Sequence, residues 1–157
     1  MPEETRPNTE IKPIDILLVE DSLQYIKITR RAFDKGHLKN KLTVLRDGEQ
    51  ALDYLFRRGE FTDPLTSPRP GMILLDLNLP KIGGLEVLRQ IKKDDKLRAI
   101  PVVIMTSSQR DEDVVRSYDL GVNTYIHKPV NFEDFMRVVH AIQEYWIVIA
   151  TLPKSQQ

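Results

Sequence analysis

Cysteine is absent from the 157 residues, which removes disulfides and thiolate metal sites and suits a reducing cytoplasm. No charge of one sign dominates: Lys plus Arg and Asp plus Glu both number 23, so there is no global positive field to hold a nucleic-acid backbone or an anionic membrane. Neither is expected as a partner. Long apolar runs are missing as well. The first thirteen residues are polar, carry Pro2, Pro7 and Pro13, and contain no signal core, and no later segment approaches the length needed to span a bilayer. A cytoplasmic protein is expected. There are no repeats or low-complexity tracts. What is present, 41% apolar and 29% charged residues, suits one globular domain large enough to bury a core without staples. The expected division is a disordered arm at 1–13, a domain at 14–152 and a frayed polar tail at 153–157.

Short β-branched apolar runs alternate with stretches of helical period, the pattern of repeated βα units around a parallel sheet. Five strands are expected at 14–19, 42–45, 72–75, 101–105 and 123–127. Ser22 can cap a first helix that ends at Gly36, and Asp47 a second that uses Ala51, Leu52, Leu55 and Phe56. A third helix follows Gly83 and Gly84, a fourth is expected near 111–120, and a long last helix starts near Asn131. The segment 58–71, with three prolines, reads as an extended surface loop. The first, third and fourth strands are apolar almost throughout, as strands covered on both faces should be. That pattern predicts an open doubly wound sheet, in which ligands sit beyond the carboxyl ends of the strands.

The first strand ends in Glu20 and Asp21 and the third in Asp76, so two central strands bring three carboxylates to one edge. Clustered anions repel unless a cation neutralises them, and Mg2+ suits carboxylates, waters and a phosphoryl oxygen. Taken singly, Asp21 is a helix cap and Asp76 a strand terminus; their coincidence is what points to chemistry. Thr106 and Lys128 end the fourth and fifth strands and place a hydroxyl and an ammonium at the same edge. Alone, Thr106 is an ordinary β-branched residue and Lys128 a solvated lysine. Together they can stabilise a phosphoryl group while Asp76 attacks as nucleophile.

Glu20-Asp21 after ILLV, Asp76 in LLDLNLP before Gly83-Gly84, Thr106-Ser107 after VVIM, and Lys128-Pro129 after Tyr-Ile-His together resemble the response regulator receiver family across residues 14–146. The loop at 58–71, LLDLNLPKIGG, RSYDLGVNTYIHKPV and Tyr145-Trp146 resemble the single-domain regulators of cyanobacterial phytochromes and bacteriophytochromes. The resemblance implies a flavodoxin-like α/β fold: a doubly wound five-stranded parallel sheet of order 2-1-3-4-5 with a long C-terminal helix. It implies a phosphoacceptor, Asp76, charged by a sensor histidine kinase of the phytochrome class, that catalyses only its own phosphorylation and dephosphorylation. Asp21 and Asp76 would hold Mg2+, with Glu20 acting through metal-bound water and the Asn78 carbonyl as a further ligand. Lys128 would pair with phosphoryl oxygens, ahead of a cis peptide to Pro129. Thr106 would turn to the phosphoryl group and Tyr125 would swing inward as the aromatic switch, although a half-buried strand tyrosine describes its resting position equally well.

Three rivals share parts of this pattern. A haloacid-dehalogenase-like phosphatase needs a second acid two residues beyond its nucleophile, where this chain has Asn78, an amide that cannot shuttle the proton. A flavin-binding module would meet the repelling Glu20-Asp21 pair. A phosphate-independent binding module would have lost the acceptor or the acidic pair. The chain's end soon after the last helix leads us to expect output through protein contacts. His37, His127 and His140 are too dispersed for a ligand cluster, and strand alternation points His127 away from the site. In the last helix, Phe132, Phe135, Val139, Ile142, Trp146 and Ile149 form the stripe expected to pack on the domain. A second stripe, Val138, Ala141, Tyr145, Val148 and Leu152, is either a wider buried face or a partner surface. Phytochrome-linked regulators of this kind are dimers, so a homodimer through the last helix is expected.

Overall fold

Runs such as ILLV and MILLD favour strands because branched side chains pack well on a pleated surface. In the computed structural model, which describes residues 14–122, 124–128 and 131–151 and side chains as far as 144, they form a parallel sheet. Its strands are β1 (Ile16–Val19), β2 (Leu42–Leu45), β3 (Met72–Asp76), β4 (Val102–Thr106) and β5 (Thr124–His127), in the order β2-β1-β3-β4-β5. The expected doubly wound order is therefore the one found. Between the strands run α1 (Leu23–Lys35), α2 (Gly48–Leu55), α3 (Gly84–Lys93) and α4 (Gln109–Ser117), and α5 (Phe132–Thr151) follows the last.

Alternation along each strand divides the core into two layers. Leu17, Val19, Ile73, Leu75 and Ile104 pack on one face against α2, α3 and α4 through Leu52, Leu88, Ile91 and Val115. Ile16, Leu18, Leu74 and Met105 pack on the other against α1 and α5 through Ile26, Phe33, Phe135, Val139 and Ile142. The apolar stripe expected of the last helix is thus buried as far as Ile142. Val138 of the second stripe is buried with it, whereas Ala141 is exposed. The remaining stripe side chains, Tyr145, Trp146, Val148, Ile149 and Leu152, lie outside the described residues, as do Asn123 and Pro129.

Several local expectations need correction. Ser22 occupies the N-cap of α1 but its hydroxyl makes no cap bond; its N–H donates to Glu20 instead. The segment 58–71 is tied down rather than extended. It forms a 3-10 turn at Gly59–Phe61, buries Ser67, and receives a hydrogen bond at the Pro68 carbonyl from the Tyr54 hydroxyl, 3.0 Å away. Helix α4 starts earlier than expected because the Ser108 hydroxyl accepts from the Asp111 N–H and caps it. Asp47 caps α2 as expected, accepting from the Gln50 N–H at 2.7 Å. Gly84 starts α3 directly over the end of β3. A Cβ there would stand 2.3 Å from the Asp76 carbonyl oxygen and 2.6 Å from the Leu77 Cα, so only glycine permits this approach.

Candidate functional site

Parallel strands of similar length end together, and register alone aligns Val19 with Leu75 and Asp76 with Met105. Glu20 and Asp76 each continue the side-chain series that faces α1 and α5, after Leu18 and Leu74. They are 1% and 3% exposed. Lys128 reaches the same place from the end of β5, its backbone pinned by an N–H···O bond of 2.6 Å to the Thr106 carbonyl. Its ammonium lies 2.5 Å from Glu20 Oε1 and 3.2 Å from Asp76 Oδ2. The second oxygen of each carboxylate accepts a backbone N–H, from Ser22 at 3.0 Å and from Asn78 at 3.1 Å. The ring of Tyr25, on the first turn of α1, covers the ammonium at 4.2 Å.

One ammonium between two nearly buried carboxylates leaves negative charge unbalanced. Burial is the main influence on Glu20 and raises its carboxyl above the ordinary range; Lys128 and the Ser22 N–H pull it down, and Asp76 pushes it further up. A cation would relieve that imbalance. The donors are all hard oxygens, and Asp21, exposed and adjacent in the chain, adds a third carboxylate. Among the described residues, however, no three His, Asp or Glu side chains are gathered as a ready metal cage. The Asp21 carboxylate stands 3.7 Å from Arg46, whose guanidinium also donates to the Asp21 carbonyl, and the ammonium of Lys128 occupies the gap between Glu20 and Asp76. The donor set, all hard oxygens, suits a divalent cation, for which Lys128 and Asp21 would have to reorient.

The remaining residues singled out in the sequence lie around this centre. The side-chain amide of Asn78 donates to the Ser107 hydroxyl at 2.9 Å, and that hydroxyl donates to Asp111 at 3.0 Å. Thr106 is fully buried, and its hydroxyl is 3.3 Å from Nδ1 of His127 rather than at Asp76. Tyr125 is half-buried with the Arg116 guanidinium 4.2 Å from its ring centre, and burial pushes its hydroxyl above the usual range. The structure therefore unites Glu20, Asp76 and Lys128 and holds Asp21, Thr106 and Tyr125 on other partners.

The expectation that His127 points away from the site is corrected. Its side chain does face away from Lys128, but that is the face on which Thr106 lies. Sequence reasoning also missed Tyr25, Arg46, Glu112 and Arg116. Tyr25 follows Asp21 by four residues, close to one helical turn, which is a signal that could have found it.

The family model for the response regulator receiver domain matches residues 16–140. The chain belongs to the response regulator receiver family. Response regulator Rcp1 of Synechocystis is 42% identical over 143 residues, covering 91% of this chain and 95% of that protein. The probable methanogenesis regulatory protein FilR2 of Methanothrix harundinacea is 46% identical over 135 residues, covering 86% and 84%. Among solved structures, the phosphorylated cyanobacterial phytochrome response regulator RcpA superposes with a TM-score of 0.76 at 40% identity, covering 91% of this chain and 100% of its own. Rcp1 has been solved in a Mn2+-bound form, which superposes with a TM-score of 0.74. This receiver is thus related to phytochrome response regulators and belongs to a family of divalent-metal-binding phosphoacceptors in two-component pathways.

Proposed function

We propose that this receiver takes a phosphoryl group on Asp76 from a sensor histidine kinase of the phytochrome class, in a reaction that requires Mg2+. The observation that carries the reading is the state of the Asp76 carboxylate: nearly buried, at the carboxyl end of the central strand, with Lys128 on one oxygen and the Asn78 N–H on the other. Such a group is fixed in orientation, and the lysine beside it can neutralise an incoming phosphoryl oxygen. Glu20, Asp21, Asp76 and the Asn78 carbonyl would hold Mg2+, which when bound supplies the charge neutralisation that lets one anion approach another. Lys128 then exchanges the Asp76 oxygen for a phosphoryl oxygen while keeping Glu20.

Thr106 hydrogen-bonds the phosphoryl group after transfer, and Tyr125 moves inward into the space behind it. The only reactions catalysed are the chain's own phosphorylation and dephosphorylation. The receiver spans 14–152, flanked by an arm at 1–13 and a tail at 153–157, works in the cytoplasm, and forms a homodimer through α5. Likeness to the phytochrome response regulator RcpA supports the choice of kinase class. Labelling with a small phosphodonor or phosphohistidine kinase tests the centre of this reading: Asp76→Asn should incorporate nothing while keeping its fold, and EDTA should stop labelling of the wild type. Full labelling in either case refutes it.

A further inference from the structure

On the sheet face opposite Asp76, a second polar network connects the two residues assigned to the switch. The Thr106 hydroxyl lies 3.3 Å from His127 Nδ1, and His127 Nε2 lies 3.4 Å from Glu112 Oε2. Glu112 belongs to α4, and its side chain is 9% exposed. It accepts from Gln109 Nε2 at 2.6 Å and from Arg116 at 3.1 Å, and the same Arg116 guanidinium covers the Tyr125 ring. Contacts thus run from Thr106 to Tyr125 through His127, Glu112 and Arg116. Asp134 and Arg137 of α5 line the groove beside His127 but pair with each other at 3.5 Å.

In a neutral imidazole one nitrogen donates and the other accepts. The Glu112 carboxylate, 3.4 Å from Nε2, favours the proton on that nitrogen, which leaves Nδ1 as an acceptor. The Thr106 hydroxyl then gives its single proton to His127. It cannot donate to a phosphoryl oxygen until it lets go.

We propose that His127 is a positioning residue that holds the Thr106 hydroxyl in its unphosphorylated orientation, with Glu112 setting the imidazole tautomer and Arg116 linking the hold to Tyr125. The inference rests on the reading of Asp76 as phosphoacceptor and Thr106 as its reader. Its content is a competition: the bond to His127 opposes activation, so removing it favours the activated state. A net hydrogen bond of ordinary strength makes that effect roughly threefold to tenfold.

The test is the affinity of the full-length protein for beryllofluoride with Mg2+, a phosphoryl mimic, measured by 19F NMR. His127→Phe should bind roughly threefold to tenfold more tightly than wild type, and His127→Ala should show the same gain without a ring. His127→Asn, which keeps an amide oxygen near the Nδ1 position, should return toward wild type. In a Thr106→Val background, which lacks the hydroxyl, His127→Phe should have no effect, an outcome that a merely structural role for His127 would not give. Unchanged or weaker binding in both His127→Phe and His127→Ala overturns the proposal, as does a gain that persists without the hydroxyl. Failure of the wild type to bind the mimic at all would instead overturn the reading of Asp76.

Discussion

Glu20 and Asp76 are two anions sharing one ammonium, and the pH dependence of that arrangement follows from Glu20. Its folded carboxyl titrates above the ordinary 4.5 chiefly because it is buried. The stability linked to this shift is therefore fully present below the unfolded value and lost as pH rises through the folded one. A cation bound to the ionised cluster should offset the loss, so Mg2+ should raise the melting temperature more at pH 7.5 than at pH 5. At this chain length each kcal/mol of metal stabilisation is worth about 2–4 °C. Equal shifts at the two pH values in differential scanning fluorimetry would contradict a metal site that includes Glu20. The Thr106 hydroxyl is held by His127 rather than by Asp76 at rest, so Thr106→Ala should still be labelled by a phosphodonor. What it should lose is the phosphorylation-dependent change in the amide resonances of α4 and β5; a variant that cannot be labelled would reverse the assigned role. Glu20, Asp76 and Lys128 were legible in the sequence because strand ends in a parallel sheet must meet. His127 was not, because alternation gives the face a side chain takes but not that the site extends over both faces.

Among the elements, α3 is placed by a close approach rather than by its stripe alone. Its apolar residues Val87, Leu88 and Ile91 are fully buried, yet the contact nearest the site is made by Gly84 against the backbone of Asp76 and Leu77. Gly84→Ala should therefore cost about 1–3 kcal/mol, the usual range for overpacking, and the displaced Asp76 should be labelled more slowly. Urea unfolding and a labelling time course would check both, and a fully stable, fully active Gly84→Ala would show that the backbone relaxes freely here. The five strands and the alternating helices were legible because branched runs and helical periodicity are strong local signals. The start of α4 was not, because it is set by a side-chain cap, the Ser108 hydroxyl accepting from the Asp111 N–H, rather than by apolar periodicity. The order hidden in 58–71 was not legible either, since it depends on tertiary contacts of Tyr54 with Phe61 and Pro68.

At the scale of the whole molecule, Gln143 of α5 still donates to the Gly36 carbonyl at 3.0 Å, and the helix continues to Thr151. Its sequence past this tie, Tyr145-Trp146-Ile147-Val148-Ile149, is apolar with no charge, which suits a partner better than water. None of the described helices is long and apolar enough to cross a membrane. A homodimer should therefore form without phosphate, and light scattering at micromolar concentration should find it. Tyr145→Asp with Val148→Asp should give a monomer; a double variant that stays fully dimeric would place the contact elsewhere. The division of the sheet into two faces has a consequence for how such a protein changes over generations. Asp76, Glu20 and Lys128 lie on the sheet face that carries α1 and α5, while Thr106, His127 and Tyr125 lie on the face that carries α4; on the proposed reading, substitutions under one roof would retune how fast the message is written and those under the other how it is read. A lineage can then adopt a new listener without relearning its speaker.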